Sequence, residues 1–249
     1  MDFKGKKVLL VEDQEMFREA MEFELESLGF SVVTAVDGED GYKKAMADRF
    51  DFILSDIKMP NWDGKRFLIE LQKTPERKPP FAFITGYADI SNYEAYDLGA
   101  DAYLGKPADM DMLTSTVANL LLPTEVLWAR RSESEPEHLF ERTIEDWDDP
   151  GFSSNFALGR RGMCLALTLR EVIGSKAGER VKFHIRLPGA PVPELKGTGL
   201  IVWERSALEG DRIHVGLEWE FIEEKGRKAL LDYLAKERPL SAIPFRQFP

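Results

Sequence analysis

FILSDIKMPNWDG, residues Phe52 to Gly64, is the stretch whose reading decides the fold. Phe52, Ile53, Leu54 and Ser55 run directly into Asp56, and an apolar run of that length predicts a buried strand. Pro60 and the Asp63-Gly64 pair mark the loop that ends it. Asp56 therefore falls at the carboxyl end of a central strand, where open α/β sheets place their ligands. A carboxylate in that position is a metal ligand, a nucleophile or a loop cap, and the residues elsewhere in the chain discriminate among the three.

Composition narrows the class. The chain has 249 residues, 31% charged and 43% hydrophobic, as in ordinary globular protein of one or two domains. No apolar run reaches the length of a membrane span, and MDFKGKK at the start lacks a signal-peptide core, so a cytoplasmic protein without membrane insertion is expected. The single cysteine, Cys164, excludes an internal disulfide framework, and its apolar surroundings (MCLAL) predict a buried thiol. His138, His184 and His214 are scattered without cysteine partners, which disfavours a structural zinc site. The net charge of −11 disfavours a general nucleic-acid binder. It is unevenly spread: residues 1–122 carry 14 basic and 23 acidic side chains, 123–150 carry 3 and 9, and 151–249 carry 16 and 12. The asymmetry predicts two modules, 1–122 and 151–249, joined by an acidic linker over 123–150.

The first module alternates strand and helix. KVLLV (Lys7 to Val11), SVVTA (Ser31 to Ala35), the Phe52 strand, FAFIT (Phe81 to Thr85) and Ala102 to Leu104 read as five strands. Helical spacing follows each of them, ending with Met110 to Leu121. The alternation predicts an α/β doubly wound, five-stranded parallel sheet with helices on both faces. Parallel strands share a direction, so Glu12-Asp13, Asp56, Thr85 and Lys106 all fall at one sheet edge. Three carboxylates brought close repel one another, and a hard cation such as Mg2+ is their natural partner. Lys106 can then neutralise a phosphoryl oxygen, the Thr85 hydroxyl can donate to another, and Asp56 can act as acceptor in a metal-assisted displacement.

This constellation resembles the receiver domain of two-component response regulators, over roughly residues 5–122. The resemblance is carried by VEDQ after the first strand, SDIKMPNWDG around Asp56, TGYA from Thr85 and GKP at Lys106. It implies that Asp56 is phosphorylated by a histidine kinase or a phosphotransfer protein, and that a homodimer can form through this domain. It also implies that Asp13 and Asp56 bind magnesium with the Lys58 backbone carbonyl, Glu12 reaching the metal through water. Tyr103 matches the aromatic position that rotates inward when Thr85 moves toward the phosphoryl group. Lys58 and Tyr87 stand where members of the family tune phosphoryl lifetime. No enzymatic activity is implied beyond the domain's own phosphorylation and dephosphorylation.

The connector is charge-rich from Arg130 to Glu145 and reads as a solvated linker, in part helical. The alternative is that Val126, Leu127, Trp128, Leu139, Phe140, Ile144 and Trp147 dock it on one of the modules or pair two copies.

Beyond Gly151 the pattern changes to strands: Gly162 to Leu169, Arg180 to Leu187, Gly197 to Trp203 and Arg212 to Phe221. Polar and apolar residues alternate in KFHIRL and RIHV, as antiparallel strands over one core do. A helix near Glu223 to Lys236 follows, and the fold expected is a small antiparallel β-barrel with a C-terminal helix and an extended tail. GMCLAL at Gly162, GLIVW at Gly199 and VGLEWEF at Val215 make this module similar to the PilZ family, whose barrel often reads cyclic di-GMP. The chain departs from that family where the dinucleotide binds. No R-x-x-x-R precedes the barrel, and Ala157 and Gly159 stand where the [D/N]-x-S-x-x-G turn has Asp or Asn and Ser. Protein docking is therefore the expected output, with an unidentified downstream protein as partner. Cyclic di-GMP gripped by Arg160 and Arg161 is the alternative. A β-type DNA-binding output is supported by the net +4 of this module alone.

Overall fold

A computed structural model of the protein describes residues 3–74, 79–86, 90–107, 109–131, 135–145, 152–153, 156–168, 171, 176–206, 212–237 and 241–244. Strands β1 (Lys7–Val11), β2 (Ser31–Ala35), β3 (Phe52–Ser55), β4 (Phe81–Thr85) and β5 (Ala102–Gly105) form one sheet in the order β2-β1-β3-β4-β5. Every pairing in it is parallel. Helices α1 (Glu15–Ser27), α2 (Gly38–Ala47), α3 (Gly64–Gln72), α4 (Asn92–Asp97) and α5 (Met110–Leu121) alternate with the strands. The doubly wound sheet expected from the alternation is the one observed.

Its side chains explain why the sheet sits in the middle. All four residues of β3 are buried, so both faces of that strand must be covered. On one face Val8, Leu10, Phe52, Leu54 and Ile84 pack with Met21 and Leu25 of α1 and Leu113 and Val117 of α5. On the other, Phe81 meets Phe67 of α3 at 5.4 Å and Phe83 at 5.1 Å between ring centroids. Asp37 and Asp63 cap α2 and α3, accepting from the Asp40 and Arg66 backbone N–H groups at 2.9 and 2.7 Å. The strand order reverses between β1 and its two neighbours, which opens a crevice at the carboxyl ends of β1 and β3.

The chain divides into two compact units, Met1–Ser91 with Leu98–Leu122, and Asn92–Asp97 with Pro123–Pro249. In the second, α6 (Thr124–Leu127) leads to β6 (Leu139–Thr143), β7 (Phe152–Ser153), β8 (Phe156–Leu158), β9 (Gly162–Thr168), β10 (Arg180–Arg186), β11 (Glu194–Ser206) and β12 (Arg212–Ile222). Helix α7 (Glu224–Glu237) follows. The seven strands form a curled half-barrel in the order β6-β10-β11-β12-β9-β8-β7. Antiparallel pairing holds throughout except between β6 and β10, which run parallel. Within this unit Asn92 also donates to the Val202 carbonyl at 2.7 Å, and Ser241 Oγ donates to the Asp97 carbonyl at 2.9 Å.

The described parts of the connector differ from a solvated linker. Strand β6 adds to the sheet edge, and Phe140, Ile144 and Trp128 are buried in the core of the second unit. Trp128, 1% exposed, meets Trp219 edge-on at 5.0 Å. The Ile222 N–H donates to the Trp128 carbonyl at 2.9 Å. The physical reason is apolar area: an indole gains more from that core than the charged residues of the connector gain from keeping the segment solvated. Trp147 and the tail beyond Pro244 lie outside the described residues, whereas Ile243 and Pro244 are buried. No helix among the described residues is long and apolar enough to cross a membrane.

Candidate functional site: an acidic pocket at the sheet edge

Each polar residue at the crevice is delivered by the end of a strand. Glu12 and Asp13 follow β1, and Asp56 follows β3. The Asp56 backbone N–H donates to the Val11 carbonyl at 2.8 Å, continuing the β1–β3 ladder by one more bond. One Asp56 oxygen accepts from the Ile57 N–H at 2.6 Å. Glu12 is fully buried and Asp56 nearly so. Glu12, Asp13 and Asp56 each present a carboxylate oxygen, all within 4.8 Å of one another.

Lys106, brought in after β5, supplies the opposing charge. Its Nζ lies 2.6 Å from Asp56 Oδ2 and 2.7 Å from Glu12 Oε2, and 4.2 Å from the centre of the Phe17 ring. Burial pushes the Glu12 carboxyl upward and the neighbouring Asp56 adds to that, while Lys106 pulls it back only in part, so it lies above the usual range. Burial works against the charge on Lys106, but the hydrogen bonds from Asp56 and Glu12 outweigh it and hold the ammonium above its ordinary value. The lysine therefore stays charged in the pocket.

Thr85 is buried at the end of β4, opposite Gly105 in the ladder, and its carbonyl accepts from the Lys106 N–H at 2.7 Å. Tyr103 is half-buried on β5, and its hydroxyl donates to the Ile90 carbonyl at 3.2 Å. Lys58 stands two residues beyond Asp56 with its side chain exposed. Tyr87 lies outside the described residues. Arg160 and Arg161 belong to the turn before β9. Arg161 is held by Glu218 at 3.1 Å, so its guanidinium already serves an ion pair within the fold.

The residues present fit a hard divalent cation. They supply three carboxylates of oxygen chemistry, and Asp13 Oδ1 is buried with no hydrogen-bond partner. An unsatisfied buried acceptor is costly, and a cation would satisfy it.

Two features of the site escaped the sequence. Phe17 reads there only as a periodic helix position, yet its ring lies beneath the Lys106 ammonium. Asp37 is a recognisable cap before Gly38, but nothing in the spacing shows that its second oxygen accepts from Asn61 in the loop after Asp56, at 2.7 Å.

Fold and pocket together define a parallel α/β domain that places the Asp56 carboxylate in an acidic cluster and against a lysine. Residues 8–118 match the family model of the response regulator receiver domain, and this part of the chain is a receiver domain of two-component signalling. Similar proteins include the probable transcriptional regulator ycf27 of Cyanophora paradoxa, 32% identical over 126 residues, covering 50% of this chain and 52% of that protein. Chemotaxis protein CheV3 of Helicobacter pylori is 36% identical over 135 residues, covering 48% of this chain and 42% of its own. Among solved structures, a response regulator receiver domain protein from Clostridium thermocellum is 29% identical, covering 47% of this chain and 94% of that one, with a TM-score of 0.43. The chain spans about half the length of the curated relatives it matches.

Proposed function

We propose that the protein is a two-component response regulator of the cytoplasm. A histidine kinase or a phosphotransfer protein phosphorylates it on Asp56, and it signals through the PilZ-like second unit. The observation that carries this reading is the bridge from Lys106 to Asp56 and Glu12 beside an unsatisfied Asp13 oxygen.

In this mechanism an Asp56 oxygen attacks phosphorus, the new O–P bond forms as the bond to the donor's histidine nitrogen breaks, and that nitrogen retains its electron pair. Glu12, Asp13, Asp56 and the Lys58 carbonyl would hold magnesium, which supplies charge neutralisation for the transferring oxygens. Lys106 exchanges its bond to the Asp56 carboxylate for one to a phosphoryl oxygen, and the Thr85 hydroxyl donates to another. The added charge favours a conformation in which Thr85 is drawn inward and Tyr103 leaves the Ile90 carbonyl.

The second unit docks a protein partner. Its support is negative and chemical: the dinucleotide-binding motif is missing from the sequence, and Arg161 is engaged by Glu218.

Incubation of the full chain with acetyl phosphate and magnesium, read by intact mass, tests the input. One added phosphoryl group is expected in the wild type and none in Asp56→Ala. Undiminished labelling of the variant would sink the assignment.

A further inference from the structure

The loop that leaves Asp56 is anchored on a neighbouring helix, and we propose that Asp37 and Asn61 are positioning residues for the metal-binding carbonyl of Lys58. The inference rests on the reading of Glu12, Asp13, Asp56 and Lys58 as a magnesium site.

Asp37 caps α2 and is buried. One of its oxygens accepts from the Asp40 N–H at 2.9 Å, which is all that the cap requires. The other accepts from Asn61 Nδ2 at 2.7 Å, across 24 residues of sequence. Next to this bond the Gly38 N–H donates to the Trp62 carbonyl at 2.9 Å. A Cβ on Gly38 would stand 2.6 Å from that carbonyl, so the approach requires glycine. The Trp62 ring then meets Tyr42 of α2 at 5.6 Å between centroids, and the Arg66 guanidinium of α3 lies 4.3 Å from its centre. Asn61 itself sits at φ 60°, in the left-handed region that few residues other than glycine and asparagine enter readily.

The base of the loop is closed separately, by the Gly64 N–H donating to the Ile57 carbonyl at 2.8 Å. On the Asp56 side of the loop only Lys58, Met59 and Pro60 lie between the two anchors. The direction of the Lys58 carbonyl is therefore set by where Asn61 and Trp62 are held. Magnesium demands near-ideal octahedral geometry, so a ligand that loses its orientation loses much of its value.

The test is calorimetric titration of magnesium chloride into the full-length protein and four variants. Asn61→Gly keeps the positive φ and deletes the amide, while Asp37→Ser keeps an α2 cap and cannot reach Asn61. Each is expected to weaken magnesium binding about tenfold, the lower end for partners that orient metal ligands. The double variant should be no weaker than the worse single one, because both remove the same bond. Asp37→Asn, opposite a flipped Asn61 amide, should bind within about twofold of wild type. Labelling by acetyl phosphate should be slowed in Asn61→Gly at low magnesium and restored at saturation, a pattern that a merely unstable variant would not give. Unchanged magnesium affinity in both single variants overturns the proposal. A wild type that takes up no magnesium overturns instead the metal-site reading on which it stands.

Discussion

Lys106 Nζ bridges Asp56 Oδ2 at 2.6 Å and Glu12 Oε2 at 2.7 Å, so one ammonium holds together two buried carboxylates that would otherwise repel. This bond positions Asp56 and supplies the counter-charge on which the proposed phosphoryl transfer would draw. Its removal has a measurable signature. In Lys106→Met the metal-free protein should lose about 3 kcal/mol, the lower end for breaking a buried pair and leaving its partners uncompensated. Magnesium should recover most of that loss by taking over the neutralisation. Urea unfolding in EDTA and in magnesium measures both, and an equal deficit under the two conditions contradicts the shared-charge account.

Gly64 opens α3 directly against Asp56. A Cβ there would lie 2.1 Å from the Asp56 carbonyl oxygen, which is backbone and cannot swing aside. Gly64→Ala should therefore push the loop away from the strand end and cost at least the ~1–3 kcal/mol typical of overpacking. Acetyl-phosphate labelling should fall with it. Full labelling at wild-type stability would show that the loop yields more easily than this contact implies.

His214 supplies a pH dependence to the second unit. It is buried on β12, cross-strand from Arg205. Burial, and then the charges of Arg205 and Arg212, hold its pKa below the ordinary 6.5. The folded unit thus keeps the imidazole neutral while the unfolded chain protonates it near 6.5. Stability is present in full above that value and declines as pH falls toward the lower folded pKa, with a slope of at most about 1.4 kcal/mol per pH unit. Urea melts across that range should show the decline in wild type and a flatter profile in His214→Gln. Parallel profiles would assign the dependence to other groups.

Trp128 tests whether the connector is part of the fold. Its indole is buried against Trp219, and its carbonyl accepts from both the Ile222 N–H and Arg227. Trp128→Ala should destabilise the second unit by about 3–5 kcal/mol, as deletion of a large core aromatic does. A substitution in a solvated linker would fall within about 0.5 kcal/mol of neutral.

The sequence by itself determined the receiver half nearly completely. Its strands are short apolar runs, its helices carry helical apolar spacing with Asp37, Asp63 and Asp109 capping three of them, and parallel winding sends every strand's carboxyl end to one edge. Local pattern and topology together therefore placed Glu12, Asp13, Asp56, Thr85 and Lys106 on one crevice. In the other half, the alternation in Arg180–Arg186 and the helix Glu224–Glu237 were equally legible. Only the tertiary structure decided what depends on contacts between distant residues. Trp128 and Phe140 stand in a charge-rich connector, and their burial becomes visible only once the core that receives them exists. The parallel pairing of β6 with β10 has no signature in the alternation of either strand. The bond from Asp37 to Asn61 joins a helix cap to the loop after Asp56 because doubly wound strands bring those two loops side by side, a proximity that residue spacing does not encode.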